Sequence, residues 1–109
     1  MKPIIWLGSS LEDVRSFPAD ARADIGYQLY KVQVGLEPSD SKAIPSVGPG
    51  AREIRVHTGN EYRVIYVAKL KEAVYVLHAF VKKTAKTSKA ELELARQRLH
   101  MLVRGRRES

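Results

Sequence analysis

The chain has 109 residues, 44% of them hydrophobic and 28% charged, with a formal charge of +7 and no cysteine. That is room for one compact domain spanning residues 1–109 and too little for two. Without cysteine there is no disulfide framework, thiol nucleophile or thiolate metal site, and His57, His78 and His100 do not make a metal-binding spacing, so neither a metal nor a cofactor is expected.

Apolar runs such as VIYVA fall far short of the roughly 20 residues of a membrane-spanning helix. The N-terminal MKPIIWLGSSLED turns acidic at once, without a secretory pattern. A cytoplasmic protein with no membrane contact is expected. The charge is one-sided: residues 1–50 carry −1, residues 51–77 carry +2 and residues 78–109 carry +6. Together with a pI near 9.9, this is the electrostatic footprint of a protein that meets a polyanion or an acidic partner.

In chain order, Pro3 to Leu7 (PIIWL), ended by Gly8, reads as a short buried strand. Ser9 and Glu12 have capping-box spacing and open a short helix through Leu11, Val14 and Phe17. Pro18 stops that helix and can start another, because a missing N–H costs nothing in a first helical turn. In the second helix Ala21, Ile25, Leu29 and Val32 share one face, Tyr27, Tyr30 and Val34 widen the apolar stripe, and Gly35 ends it. Residues 36–50, rich in Pro, Gly and Ser, read as an irregular loop that either covers a site or crosses the surface. Three strands follow as an antiparallel meander, REIRVH, EYRVIYVAKL and AVYVLHAFVKK, turning at HTGN and LKEA. Ser88 and Glu91 repeat the capping-box spacing, and Leu92, Ala95, Leu99 and Leu102 mark one face of a terminal helix. The closing RGRRES, residues 104–109, reads as a frayed, flexible tail.

The order β–α–α–β–β–β–α describes an α+β domain. Its sheet is mainly antiparallel, with two N-terminal helices on one face, a C-terminal helix, and the other face partly open.

Period-two alternation puts Tyr62, Val64, Tyr66 and Ala68 on the helix-packed side of the central strand and Arg63, Ile65, Val67 and Lys69 on the other. In the preceding strand Glu53, Arg55 and His57 share one side, so Arg55 approaches Arg63. Arg52, Ile54 and Val56 take the opposite side. A mid-sheet Arg63 needs either an anion or a structural salt bridge to Glu53 or Glu61. Paired Arg residues suit phosphate oxygens, whose geometry their planar donors match. His78, near the end of the last strand, is a candidate general acid or base or a packed core residue. Lys82, Lys83, Lys86 and Lys89 either extend the cationic surface or form a solvated edge. No carboxylate pair, Ser–His–Asp order, phosphate-cradling glycine loop or metal signature is present. Chemistry on Arg, Lys and His suits cleavage of RNA by its own 2′-hydroxyl, which requires no metal.

The segment from Arg52 to Leu99 carries E-x-R at Glu53–Arg55, Y-R-x-x-Y at Tyr62–Tyr66, L-H-x-F-x-K-K at Leu77–Lys83 and S-x-x-E-x-x-x-A at Ser88–Ala95. In these motifs and in element order the chain resembles the RelE/HigB superfamily of bacterial toxins, in particular its phage-derived HigB-like branch. The resemblance implies a RelE-like domain that enters the ribosomal A site and cleaves bound mRNA. It further implies neutralisation by a helix-turn-helix, HigA/Xre-like antitoxin in a toxin–antitoxin hetero-oligomer. Carried over by position, Arg55 and Arg63 match phosphate-contacting basic positions, and Lys82 and Lys83 fall near the family's basic pair. The chain departs from the family in having no Tyr after Tyr75 and in carrying Ser88 where the branch often has Pro.

The expected function is therefore that of a type II toxin, a ribosome-dependent mRNA endoribonuclease. Arg63, Arg55, Lys83 and His78 are its expected catalytic residues, and Lys82, Lys86, Lys89 and Arg52 its RNA contacts. The alternative is a non-catalytic nucleic-acid- or protein-binding module that has kept the fold.

Overall fold

A computed structural model describes residues 1–108. The elements are β1 Ile4–Trp6, α1 Ser10–Arg15, α2 Ala19–Gln33, β2 Ser41–Ala43, β3 Ala51–Thr58, β4 Asn60–Val67, β5 Val74–Val81 and α3 Lys89–Glu108. The five strands form one mixed sheet in the order β1-β5-β4-β3-β2. The β2–β3, β3–β4 and β4–β5 pairings are antiparallel, and β1 lies parallel to β5.

Alternation along the strands divides the apolar side chains between two cores. Ile54, Val56, Tyr62, Val64, Tyr66, Val74 and Val76 pack against Val14 and Phe17 of the α1 region and against Ala21, Ile25, Leu29 and Val32 of α2. On the reverse face Ile65, Val67, Leu77 and Phe80 pack against Ala95 and Leu99 of α3, with Leu92 and Leu102 at the margin. Each fully buried aliphatic side chain contributes about 1.5–3 kcal/mol, so a sheet buried on both faces holds its strands in a single register.

Several expectations are corrected. The second face of the sheet is less open than expected, because α3 crosses it and Ile44 and Val47 extend the cover, leaving it open toward the β3–β4 turn, where the His57 side chain is half exposed. The segment read as irregular contains β2, pinned to β3 by the Lys42–Glu53 register. PIIWL is not fully buried: as an edge strand, β1 exposes Ile5. Tyr27, Tyr30 and Val34 do not widen the buried stripe of α2 but face solvent. Gln28 is buried instead, bonded through its amide to Asp24 and to the Ser39 N–H. The capping box at Ser9 does not form, since the Ser9 hydroxyl donates to the Asp13 carboxylate and caps no backbone N–H. At α3 half of the box forms, with the Glu91 N–H donating to Ser88 Oγ at 3.3 Å. The helix runs on to Glu108, into the stretch expected to fray. Ser109 lies outside the described residues.

Candidate functional site

The hairpin between β3 and β4 turns at Gly59, whose φ of 78° lies in the left-handed region that glycine occupies without strain. Its register sets Arg55 directly opposite Arg63 and His57 opposite Glu61. Directly opposed residues of an antiparallel pair share a face, so these four side chains and Glu53 project together on the α3 side of the sheet.

There they form a closed ring of charges with Asp40, which immediately precedes β2. Arg55 pairs with Glu53 at 3.3 Å and with Asp40 at 3.9 Å. His57 hydrogen-bonds Asp40 through Nε2 and Glu61 through Nδ1, each at 2.7 Å. Glu61 also accepts from Arg63 at 3.1 Å, and Glu53 closes the ring 3.9 Å from Arg63 Nε. A carboxylate thus stands between the two guanidinium groups, the salt-bridge alternative for Arg63. Arg63 is only 5% exposed and Glu53 2%. Arg63 also donates to the Tyr62 carbonyl, so its charge is spent inside the protein. The Arg55 side chain keeps 30% of its surface open and the His57 side chain 51%.

With a carboxylate on each ring nitrogen, both nitrogens of His57 act as donors, which favours the imidazolium form. The Asp40 hydrogen bond, seconded by that of Glu61, holds the His57 pKa above its ordinary value. Glu61 is correspondingly held below the usual carboxylate range, first by His57 and then by Arg63. His57 was not singled out from the sequence as a site residue. The available signal was a His and a Glu four residues apart across a Gly turn, a spacing that makes them face each other. Asp40 could not be anticipated without β2.

His78 reaches the same face by a different route. A register shift between Ile65 and Tyr66 brings Tyr66 opposite Val76 but Ile65 opposite His78, leaving Leu77 as an extra residue in β5. This bulge turns His78 away from the face used by Val74 and Val76. Its ring stacks on Phe80 at 5.2 Å and is 5% exposed. Nε2 lies 3.0 Å from the Glu91 carboxylate, and Nδ1 lies 3.4 Å from Arg98 Nη1. Because Arg98 can only donate, Nδ1 accepts and Nε2 donates to Glu91. Arg98 is itself fastened to the Leu77 carbonyl and to Ser9 Oγ. His78 therefore sits in a packed, fully bonded position.

At the end of β5, Phe80, Lys82, Lys83, Thr87, Ser88 and Glu91 line a cleft of about 190 Å³. The Lys82 N–H donates to the Glu61 carbonyl, which puts this cleft beside the charge ring. Lys83, Lys86 and Lys89 are exposed, and among the described residues none of the four lysines has an ion-pair partner. Arg52 is not brought to this group. It lies on the opposite side of the sheet, donating to Ser41 Oγ and lining a separate cleft with Tyr66 and Gln33.

These features describe a small α+β protein with a polar, cation-bordered cluster at one end of its sheet. The chain matches the family described as phage derived protein Gp49-like (DUF891) over residues 12–100, and it belongs to that family. This is a RelE/HigB-type toxin family whose members are generally toxins of toxin–antitoxin modules, which implies an antitoxin partner and suggests endoribonuclease activity in general. No curated protein matches the chain. Among the described residues no helix is long and apolar enough to cross a membrane.

Proposed function

We propose that this protein is the toxin of a type II toxin–antitoxin module and cleaves ribosome-bound mRNA, with a helix-turn-helix antitoxin as its neutralising partner. The observation that carries this reading is the juxtaposition of Arg55, Arg63 and His57 at the end of the sheet bordered by unpaired lysines. In the reaction the RNA 2′-hydroxyl gives up its proton to solvent water as its oxygen bonds to phosphorus and the bond to the 5′-oxygen breaks, leaving a 2′,3′-cyclic phosphate and a 5′-hydroxyl. Extra negative charge develops on the phosphorane and the leaving oxygen needs a proton.

Arg55, the more open of the two guanidinium groups, faces the phosphate. Arg63 is a positioning residue that holds Glu53 and Glu61, and through them Arg55 and His57. His57, half exposed and flanked by two carboxylates, donates the proton to the leaving oxygen. Lys82, Lys83, Lys86 and Lys89 hold neighbouring phosphates or ribosomal RNA, with no ion pair among the described residues to be broken first. His78 has a packing role here, and no proton transfer is routed through it.

One observation favours the second reading, a non-catalytic binder: the carboxylates of the ring already neutralise both arginines. Ribosomes programmed with a defined mRNA, incubated with the purified protein and mapped by primer extension, separate the two. Cleavage produces new 5′ ends that disappear with Arg55→Ala. Translation blocked without new ends, or undiminished cleavage by a folded Arg55→Ala protein, overturns the assignment.

A further inference from the structure

At the far end of the same sheet face, Val47, Pro49, Val67, Leu70, Leu99 and Val103 line an open groove of about 500 Å³. Its rim is formed by Lys69, His100, Arg104 and Arg107, and among the described residues no carboxylate lines it. The groove is separate from the charge ring: Lys69 is six residues along from Arg63, roughly 20 Å in extended chain.

The state of its cations distinguishes it from the rest of α3. Arg96 is bonded to the Ser46 carbonyl, Arg98 to the Leu77 carbonyl and Arg106 to Glu72. Among the described residues Lys69, Arg104 and Arg107 have no ion-pair partner. The walls are tightly set, since a Cβ at Gly48, where φ is +150°, would stand 2.5 Å from Leu99 Cδ2. A volume of several hundred Å³ accepts bulky apolar side chains, while three uncompensated cations favour carboxylates around them.

We infer that this groove docks an acidic, amphipathic segment of the partner antitoxin, with apolar side chains inserted between Leu99 and Val103 and carboxylates set against Lys69, Arg104 and Arg107. The inference rests on the family's antitoxin partner and on the charge of the groove, and it is independent of how RNA is cleaved.

The test uses the full chain and a fluorescein-labelled peptide of about 14 residues, with Leu at helical i, i+3, i+4 and i+7 positions and Glu at the remainder. Fluorescence anisotropy is expected to show saturable binding that weakens at least tenfold with Arg104→Glu/Arg107→Glu, and similarly with Val103→Asp. Far-UV circular dichroism is expected to show the helix content of the double variant intact. A peptide with Lys in place of Glu is expected not to bind, nor one with Ala in place of Leu. Absence of binding, equal binding by the folded double variant, or equal binding of the Ala peptide overturns the inference. Displacement of the Leu/Glu peptide by an equal concentration of dodecanoate also overturns it, assigning the groove to a small amphiphile. RNA cleavage by the double variant, measured without any partner, is expected to match the unmodified protein, so failure of the docking inference leaves the cleavage reading standing.

Discussion

Arg63 and Arg55 stand opposite each other in the sheet but make different demands on an experiment. Replacing Arg63 with Ala leaves the buried Glu53 carboxylate with Arg55 as its one guanidinium partner, and removing a partner from a buried ionic group costs up to about 3–5 kcal/mol. Urea denaturation of Arg63→Ala is expected to show a loss of that order, with much of it recovered in Arg63→Ala/Glu53→Ala. A loss below about 1 kcal/mol would mean that Glu53 does not depend on Arg63. Alternation already placed the two arginines on one face, but it could not decide between a phosphate and a carboxylate, because period two assigns a side and says nothing of which acid is buried beside it. His57 makes the pH prediction. Its pKa is raised by Asp40 and Glu61, so its contribution to stability is fully present below the ordinary value of 6.5 and is lost as pH rises through the higher folded value. On the proposed role, cleavage falls over the same alkaline window. His57→Gln is expected to lower the rate about 100-fold and to abolish that limb of the pH–rate profile; an unchanged limb would remove His57 from proton transfer.

The elements show where a pattern becomes a position only through its partners. Continued alternation would have put His78 with Val74 and Val76 against the helical hairpin. The bulge at Leu77 moves it beside Phe80 and Glu91, and a bulge is a property of two paired strands, invisible in either alone. The buried face of α2 was legible from its spacing, whereas Tyr27 and Tyr30 were not legible as exposed, since the apolar stripe is wider than the contact the sheet makes. For α3, the last turns are held by a feature no periodicity predicts. Arg106 reaches Glu72 with two nitrogens, at 2.8 and 3.1 Å, and the Tyr75 hydroxyl donates to the same carboxylate. The Arg106 hydrogen bond is the first cause holding the Glu72 pKa down to about 2. A depressed carboxylate stabilises the fold above its ordinary value of 4.5, and that contribution is lost as pH falls toward 2. The stability advantage of the unmodified protein over Arg106→Ala, read as a difference in urea midpoints, is therefore expected at neutral pH and to vanish across this acid window. An advantage that persists unchanged at pH 2 would show that Arg106 acts through packing rather than through Glu72.

At the scale of the molecule, one sheet keeps the two proposed sites apart. Helices α1 and α2 bury one face. On the other, α3 crosses between the charge ring at the turn of the β3–β4 hairpin and the apolar groove at the far end of β4. The net +6 of residues 78–109 was visible as a number, but its division into paired arginines, a lysine border and an open cationic groove depended on where α3 lies. The lysine border has a thermodynamic signature that needs no knowledge of the cleavage step. Each phosphate neutralised on a single strand releases counterions, so the logarithm of affinity falls with the logarithm of salt concentration by about 0.7 per contact. If Lys82, Lys83, Lys86 and Lys89 all meet phosphates, they contribute a slope of about −3. Replacing Lys83 with Gln is expected to make the total slope shallower by about 0.7, and replacing all four to remove most of it. The measurement is a salt titration of binding to a 2′-O-methyl RNA, which keeps its phosphates but cannot supply the attacking hydroxyl. Arg52→Gln, on the opposite face, is expected to leave the slope unchanged. A slope that depends on Arg52 and is indifferent to the four lysines would move the RNA to the other side of the sheet.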